Sequence, residues 1–391
     1  MNILNGSKMI RLAFVIHFNK TWIGGINVII NLINSLLNLK EKKLKIKIIL
    51  FTNSKKKINK LNLSKFVEVI ETQEFFNRNI FYKIIDKISI IFFGKTFFLE
   101  KILISNKINF LSHTSIITGK KSFTKSIVWI PDFQYLYFPK FFSLKYKFLK
   151  KINNILIKKH AYKVLLSSNS TKKDFKKICN IQNNKILVNK FVFNVPKLKY
   201  LRKKSYLKNK YSLKDNFFYL PNQYWYHKNH KVVINALNYL KNKKKTNIFI
   251  YSSGSKNDYR FPHNFKNLME LVKKYNLDKN YFYLGIVPYI DVMSLIFHST
   301  ALINPSLFEG WSSTVEQAKA YKKKIILSNI RVHKEQKPRF AYYFRPENFI
   351  DLSKILMKLK SSKNSKIINS YEDDMDKKME NYIKEYYKIL K

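Results

Sequence analysis

One segment of the chain combines glycine, hydroxyl and acidic residues at a spacing that suits anion binding. Residues 305–316 read Pro-Ser-Leu-Phe-Glu-Gly-Trp-Ser-Ser-Thr-Val-Glu, between a predicted strand and a predicted helix. Gly310, Trp311, Ser312 and Ser313 stand where the first backbone N–H groups of that helix lack partners within the helix. Because such groups and the helix dipole attract negative charge, this turn is predicted to bind a diphosphate.

Two glutamates flank the turn and supply carboxylates. Glu309 comes just before it, where a carboxylate would hold sugar hydroxyls. Glu316 falls in the first turn of the predicted helix and would accept hydrogen bonds from ribose hydroxyls. A second interpretation of Glu316 remains open, because a Ser/Thr-x-x-Glu spacing also forms a capping box at a helix start.

The order of predicted elements places this turn at the edge of a parallel sheet. An apolar run over 12–17 is typical of a strand buried on both faces, and apolar residues at helical spacing follow over 28–37. A second strand at 44–51 completes a βαβ unit. Strands and helices alternate again over 217–327, which predicts two Rossmann-like, doubly wound α/β domains and a charged C-terminal helix over 372–391.

A polar, basic stretch separates the two halves. Residues 196–216 show no strong periodicity until their end, so they are predicted to form a linker. We assign residues 1–198 to the N-terminal domain and residues 199–391 to the C-terminal domain with its terminal helix. A length of 391 residues agrees with two domains.

Composition predicts a globular protein in a reducing compartment. Apolar residues make up 46% of the chain, enough to build cores. Cys179 is the only cysteine, so an intramolecular disulfide is excluded. We expect neither a signal peptide nor a membrane-spanning helix, because the apolar runs are short and interrupted by charges.

The net charge of +51 has three interpretations. Lysine, isoleucine, asparagine and phenylalanine are abundant throughout, which favours a general compositional bias. Attraction to an anionic membrane surface is compatible with that bias. A nucleic-acid partner is the least favoured, because the lysines form no single stripe and no nucleic-acid motif is present.

Residues 305–316 resemble the donor-binding signature of glycosyltransferase family 4, also called glycosyltransferase group 1. In that family a Pro-Ser-x-x-Glu-Gly stretch leads to a second glutamate, usually after seven residues. Six residues lie between Glu309 and Glu316, as in Glu-Gly-Trp variants. The resemblance extends to residues 220–230, where Lys228 matches a lysine that contacts the donor diphosphate and Asn222 stands where an arginine is usual.

The resemblance also covers two segments of the first half. Gly24 and Gly25 match the family's glycine loop beneath the acceptor and the donor phosphates. Residues 129–134 resemble a segment that carries a His-Asp pair in many relatives; here Pro131 occupies the histidine position and Asp132 is retained. Asp132 has two open interpretations, since it would either orient an acceptor hydroxyl or cap the following turn.

The resemblance implies the GT-B fold, with an N-terminal acceptor-binding and a C-terminal donor-binding domain facing across a cleft. It implies a hexosyltransferase that moves a sugar from a nucleotide-diphosphate sugar to an acceptor hydroxyl with retention, without cofactor or required metal. The expected acceptor is a glycan or lipid-linked sugar of surface polysaccharide or lipopolysaccharide biosynthesis, reached from the cytoplasmic face of the membrane. The candidate catalytic residues are Glu309 and Asp132, and the candidate donor-binding residues are Gly24, Gly25, Asn222, Lys228, Gly310, Trp311, Ser312, Ser313 and Glu316.

Three alternatives remain open. A nucleotide-sugar epimerase of the same fold would isomerise its substrate without forming a glycosidic bond. A basic nucleic-acid-binding protein would bind DNA or RNA with a steep salt dependence. A non-catalytic binder would fit the departures at Asn222 and Pro131.

Overall fold

The computed structural model describes residues 9–18, 23–38, 45–61, 63, 65–360 and 371–390. The strands are β1 (Ile10–Ile16), β2 (Ile46–Thr52), β3 (Val67–Glu71), β4 (Phe110–Thr114), β5 (Lys125–Ile130), β6 (Lys163–Leu166), β7 (Ile186–Val188), β8 (Phe218–Leu220), β9 (Ile250–Ser252), β10 (Tyr281–Tyr283), β11 (Leu302–Asn304), β12 (Ile325–Ser328) and β13 (Ala341–Phe344). The helices are α1 (Ile23–Asn38), α2 (Lys55–Ile58), α3 (Ile80–Phe93), α4 (Phe98–Ser105), α5 (Gln134–Tyr137), α6 (Leu144–His160), α7 (Asn169–Ile178), α8 (Lys204–Tyr211), α9 (His230–Lys244), α10 (Asn264–Lys274), α11 (Tyr289–His298), α12 (Ser313–Ala320), α13 (Arg331–Gln336), α14 (Phe349–Lys360) and α15 (Tyr371–Leu390).

The first sheet has seven parallel strands in the order β3-β2-β1-β4-β5-β6-β7. Its central strands are apolar on both faces, because helices cover both sides of a doubly wound sheet. Ala13, Ile49 and Leu111, on three neighbouring strands, are fully buried in one cluster of the core. The strand order reverses between β1 and β4, as expected for a Rossmann-like domain.

The second sheet has six parallel strands in the order β10-β9-β8-β11-β12-β13. Leu220, Ile250, Ile303 and Ile326, from four of its strands, are fully buried in one core cluster with α9 and α14. The order reverses between β8 and β11. Ligands bind beyond the carboxyl ends of the strands at such a reversal, so the loops after β8 and β11 form the expected binding edge.

The chain divides into two compact units, and each unit consists of segments that are separated in the sequence. The first contains the described residues up to Phe133, Ser143–Phe191 and the end of α15 from Lys378 onward. The second contains Gln134–Phe142 and Val192–Lys377. The predicted domain boundary at residues 198/199 stays a prediction.

Most predicted strands and helices are present with ends shifted by one to a few residues, but three differences matter. Residues 196–216, predicted as an irregular linker, contain α8, whose Leu207 is fully buried. Eight residues with only Leu207 buried are too few to show an apolar periodicity in the sequence. Gly24 and Gly25 lie in the first turn of α1, where a loop was predicted. The strands β3 and β13 and the helices α13 and α14 were not predicted.

Among the residues that the structure describes, no helix has the length and apolar character needed to cross a membrane.

Candidate functional site

The loops after β8 and β11 meet through an ion pair. The Nζ atom of Lys228 lies 2.6 Å from Oε1 of Glu309, and the two side chains are only 15% and 9% exposed. The Leu307 N–H donates to the His227 carbonyl over 2.8 Å, which fixes one loop against the other. Asn229 Nδ2 adds a bond of 3.1 Å to the Pro305 carbonyl. The sequence thus identified two side chains that the fold brings together at the strand-order reversal.

Asn304, at the end of β11, organises the turn that follows it. This side chain is fully buried. Its Oδ1 lies 2.7 Å from the Ser306 hydroxyl, and its Nδ2 donates to the Ser312 hydroxyl over 2.8 Å. The Ser306 hydroxyl also lies 2.7 Å from Glu309 Oε1. One buried amide therefore ties both ends of the turn to the sheet.

Asn222 is part of the same buried layer. Its side-chain amide lies 3.4 Å from Asn304 Oδ1, and the residue is 3% exposed. A direct role of Asn222 in donor binding stays a prediction.

The turn after Glu309 presents backbone donors at the start of α12. Ser312 is the N-cap residue, and its N–H lies 3.4 Å from Gln336 Oε1. No described residue accepts a hydrogen bond from the N–H of Gly310 or Ser313. Such groups at a helix start can bind an anion, and their binding of a diphosphate stays a prediction.

Glu316 does not act as part of a capping box. Its Oε1 accepts hydrogen bonds from Gln336 Nε2 over 2.8 Å and from Lys319 Nζ over 3.0 Å. The Ser312 hydroxyl makes no cap bond to α12, because it binds Asn304. The capping interpretation of Glu316 is therefore wrong, and its carboxylate is positioned through α13 instead.

The sequence did not identify two functional candidates, Gln336 and His333, both on α13. Gln336 bonds Glu316 and also donates from Nε2 to the Ser312 carbonyl over 3.0 Å. His333 is fully buried; its Nδ1 lies 2.9 Å from the Ser328 carbonyl oxygen, and its Nε2 has no partner within the described residues. Six residues are too few for α13 to show a readable periodicity.

His333 interacts electrostatically with both members of the Lys228–Glu309 ion pair. Burial lowers the pKa of His333 to about 4, although the Glu309 carboxylate raises it and the Lys228 ammonium lowers it further. The imidazole is therefore neutral at pH 7.

Two other histidines near Lys228, His227 and His230, are buried in the fold. The His230 ring stacks on Tyr224 at 4.0 Å, and its nitrogens lie 2.9 Å from the Tyr281 hydroxyl and 3.2 Å from the Gln223 carbonyl. Burial lowers the pKa of His230 to about 3 and that of His227 well below its ordinary value. In the described part of the chain no three His, Cys, Asp or Glu side chains converge to hold a metal; that the reaction requires none stays a prediction.

An aromatic cluster borders the Glu309 loop. Tyr137 and Phe138, from the segment Gln134–Phe142, pack against Phe308 with ring centroids 4.5 and 6.4 Å apart. The Arg331 guanidinium lies over the Tyr137 ring at 5.6 Å. This cluster fixes the residue that directly precedes Glu309.

The loops after β8, β9 and β10 require a glycine. Gly254 has a φ of 144°, and a Cβ atom there would come within 2.6 Å of the Asn222 carbonyl oxygen. Its N–H donates to the Gly285 carbonyl over 2.9 Å. Only glycine lets these loops approach so closely.

The predicted site residues of the first unit are not tested by these contacts. Gly24 lies in α1, and a Cβ atom at this position would have no neighbour within 4 Å, so packing does not require glycine there. Asp132 is half-buried and acts electrostatically on Lys150, whose pKa burial lowers and Asp132 raises. The roles of Gly24, Gly25 and Asp132 stay predictions.

Comparison with known proteins connects these features to a family. Residues 203–385 match the family model described as glycosyl transferases group 1. A glycosyltransferase from Rickettsia africae is 16% identical with a TM-score of 0.67, over 98% of this chain and 99% of that chain. The Anabaena protein Alr3699/HepE, in complex with UDP and glucose, is 12% identical with a TM-score of 0.67, over 97% and 98%.

A third structure shows that the fold is shared with another activity. The UDP-GlcNAc 2-epimerase from Methanocaldococcus jannaschii is 13% identical with a TM-score of 0.53, over 96% of this chain and 99% of that chain. No curated protein matches the chain. Together the solved structures confirm the predicted fold class, GT-B with two Rossmann-like domains.

Proposed function

Because residues 203–385 match the model of the group 1 glycosyltransferases, we propose that this protein transfers a sugar from a nucleotide-diphosphate sugar to an acceptor hydroxyl. The observation that carries the proposal is the Lys228–Glu309 ion pair beside the N–H groups that open α12. Both lie at the strand-order reversal, where a nucleotide is expected in this kind of sheet.

Such a transfer mainly requires that the negative charge on the leaving diphosphate be stabilised. As the glycosidic bond breaks, the sugar becomes oxocarbenium-like and negative charge grows on the leaving oxygens. The Lys228 ammonium and the N–H groups of Gly310 and Ser313 would stabilise that charge. Because these groups are already held in place, they need little reorganisation during the reaction.

Both glutamates are held through one carboxylate oxygen. The described contacts of Glu309, from Lys228 and Ser306, both fall on Oε1, and so do those of Glu316. In each case Oε2 remains for a ligand hydroxyl. We assign Glu309 to the hydroxyls of the transferred sugar and Glu316 to the ribose.

The finer parts of the proposal rest on the family resemblance. They are a hexosyl donor, retention of anomeric configuration without a required metal, and a role in surface polysaccharide or lipopolysaccharide biosynthesis. Asp132 is assigned to orienting the acceptor hydroxyl. The cytoplasmic location is supported by the single cysteine, Cys179.

A ligand screen followed by product analysis tests the proposal. Sugar nucleotides of UDP, GDP, ADP, dTDP and CMP are compared for their effect on the melting temperature, since a ligand that binds the native state stabilises it. The stabilising donor is then incubated with glycan acceptors, and products are identified by mass spectrometry and by NMR of the anomeric proton. An isomerised free nucleotide sugar without any glycoside would identify an epimerase instead.

Substitutions at the ion pair locate the chemistry. Lys228→Met is expected to lower kcat/KM by about a hundredfold or more, because a donor to the developing charge is lost. Glu309→Gln is expected to lower kcat, since an amide no longer accepts strongly from sugar hydroxyls. Lys231→Met, at an exposed position on the adjoining helix, is the matched control and should retain full activity. Full activity in folded Lys228→Met protein would show that the site is assigned wrongly.

A further inference from the structure

Two helices of the first unit expose large apolar side chains to solvent. On α3, Ile84 and Phe92 are 50% and 76% exposed. On α6, Leu144, Phe148 and Ile155 are 79%, 63% and 56% exposed. Because removing such side chains from water is favourable, a cluster of them marks a surface that functions in contact with something apolar.

The exposed side chains form a stripe along each helix. Residues four apart lie on one face of a helix, and Leu144 and Phe148 are followed by Ile155 on the same face. The opposite faces are buried: Ile90 of α3 and Ile157 of α6 are almost inaccessible. Each helix is thus anchored through one face and presents an apolar stripe on the other.

Lysines border the stripe on α6. The helix carries six lysines and no acidic residue. Lys151 and Lys159 are exposed on the two sides of the Leu144–Phe148–Ile155 stripe, and Lys145 is exposed further around the helix on the Lys159 side. The resulting surface is apolar along its centre and cationic along its sides.

The single acidic residue of α3 does not offset this charge. Asp86 is buried and forms an ion pair with Arg78. Its Oδ1 also accepts from the N–H groups of Phe97 and Phe98 at the start of α4, over 2.7 and 2.9 Å. The exposed face of α3 therefore presents no carboxylate of its own.

The two helices are neighbours in the first unit. A cavity of about 320 Å³ has walls from both, including Lys83, Lys87 and Ile90 of α3 and Asn153 and Leu156 of α6. We call the surface formed by the exposed sides of α3 and α6 the α3/α6 face.

We infer that the α3/α6 face docks the protein on an anionic lipid bilayer. The apolar stripes would enter the boundary between headgroups and acyl chains, while the lysine stems extend so that their ammonium groups reach lipid phosphates. Nucleic acid would match the lysines but leave the apolar stripes in water. The inference is independent of the donor site, because every residue that carries it lies on α3 or α6.

Vesicle sedimentation with the full chain tests this inference. Phosphatidylcholine vesicles are compared with vesicles that contain about a third phosphatidylglycerol. We expect binding to the anionic vesicles only, and we expect it to weaken between ~0.05 M and ~0.5 M salt because salt screens the lysines. Equal binding to both kinds of vesicle, or to neither, would overturn the inference.

Matched variants identify the face. Replacing Lys145, Lys151 and Lys159 by Gln is expected to weaken binding to anionic vesicles by about a hundredfold, because each lysine near the membrane surface contributes a factor of about ten or less to the affinity. The control replaces three exposed lysines of the second unit, Lys243, Lys244 and Lys274, by Gln. The two triple variants therefore have the same net charge. Equal losses in both triple variants would show that total charge, and not this face, determines binding.

An apolar pair of variants separates docking from charge alone. Phe148→Ser with Ile155→Ser is expected to weaken vesicle binding at least about tenfold. The control, Tyr259→Ser with Ile286→Ser, removes side chains of similar exposure from the second unit and should bind like the wild type. If the first double variant binds vesicles normally but elutes as a smaller species, the face joins two copies of the chain and the lipid inference is wrong.

Lys228→Met distinguishes this inference from the proposed function. That variant should lose transfer activity and bind anionic vesicles normally. Loss of vesicle binding in Lys228→Met would contradict the assignment to α3 and α6.

Discussion

At the scale of single residues, the candidate site depends on carboxylates that are held by buried partners. Lys228 and Glu309 are each largely buried, so removing one partner leaves an uncompensated charge. Glu316 is held differently, by a neutral amide and a lysine on its own helix. The two glutamates are therefore expected to respond differently to loss of their partners.

Gln336→Ala tests the second glutamate through a residue that does not belong to the donor-binding signature. The change removes one of the two donors to Glu316 Oε1 and one of the two donors to the Ser312 carbonyl, which keeps the Glu316 N–H. We expect KM for the sugar nucleotide to rise about tenfold with little change in kcat, because ribose contacts contribute equally to ground-state and transition-state binding. Steady-state kinetics measures both constants. Gln182→Ala, at an exposed position of the first unit, is the control; a fall in kcat at constant KM would place Glu316 in the chemical step instead.

At the scale of elements, the loops after the parallel strands decide where the site lies. Backbone contacts join the loops after β8, β9 and β10, as shown by the Gly254 N–H bond to Gly285 and the Tyr224 N–H bond of 2.9 Å to Ser255. Gly254 sits where these loops approach most closely. Packing of backbone against backbone, and not a side-chain role, explains why this position is glycine.

Substituting alanine at Gly254 and at Gly24 is expected to affect the free energy of unfolding differently. Gly254→Ala should lower the free energy of unfolding by about 1–3 kcal/mol, because its Cβ atom would meet a carbonyl oxygen and its φ suits only glycine. Gly24→Ala should leave the free energy unchanged or raise it by up to about 1 kcal/mol, because alanine is preferred within a helix and space is available. Urea denaturation measures both.

The transfer activity of Gly24→Ala tests whether a phosphate approaches this position. If Gly24→Ala keeps its stability but loses transfer activity, the predicted phosphate approach at that position is supported. Unchanged activity would remove Gly24 from the site.

At the scale of the whole molecule, each compact unit draws on distant parts of the sequence. The end of α15 belongs to the first unit, where Tyr386 is fully buried and its hydroxyl donates to Ser112 over 2.7 Å. His113 packs beside it, with ring centroids 5.8 Å apart. The last helix of the chain thus completes the core of the first unit.

Buried neutral histidines in both units make stability depend on pH. Burial lowers the pKa of His113 and His230 to about 3, from an ordinary value of 6.5. Between these values the unfolded chain binds protons that the folded chain does not, so stability is lost as the pH falls from about 6.5 toward 3. Asp174 acts in the opposite direction, because burial raises its pKa to about 6.

A variant comparison isolates the histidine contribution from that of Asp174. His230→Gln should make the free energy of unfolding less sensitive to pH below about 6, by up to about 1.4 kcal/mol per pH unit. His263→Gln, at an exposed position, is the control. Denaturation curves measured between pH 4 and 8 give the slope of the free energy of unfolding against pH. Identical slopes for the wild type and His230→Gln would show that the pKa of His230 is the same in the folded and the unfolded chain.

The sequence by itself determined the features that are local in the chain. Apolar periodicity predicted most strands and helices, and the spacing in residues 305–316 predicted a turn of backbone donors at a helix start. These predictions succeed because hydrogen bonds within a turn, and burial along a strand, depend on residues only a few positions apart. The match at Lys228 required the family resemblance, since nothing local distinguishes it among 75 basic residues.

Only the tertiary structure decided what depends on strand order and packing. It placed Lys228 against Glu309 and bonded Glu316 to Gln336 in place of a capping box. It also buried His333, which interacts electrostatically with the Lys228–Glu309 pair. It also assigned the end of α15 to the first unit. Such contacts join residues far apart in the chain, and a short helix such as α13 carries too few residues for its sequence to reveal them. Their partners are selected by the order in which parallel strands assemble, which no local pattern encodes.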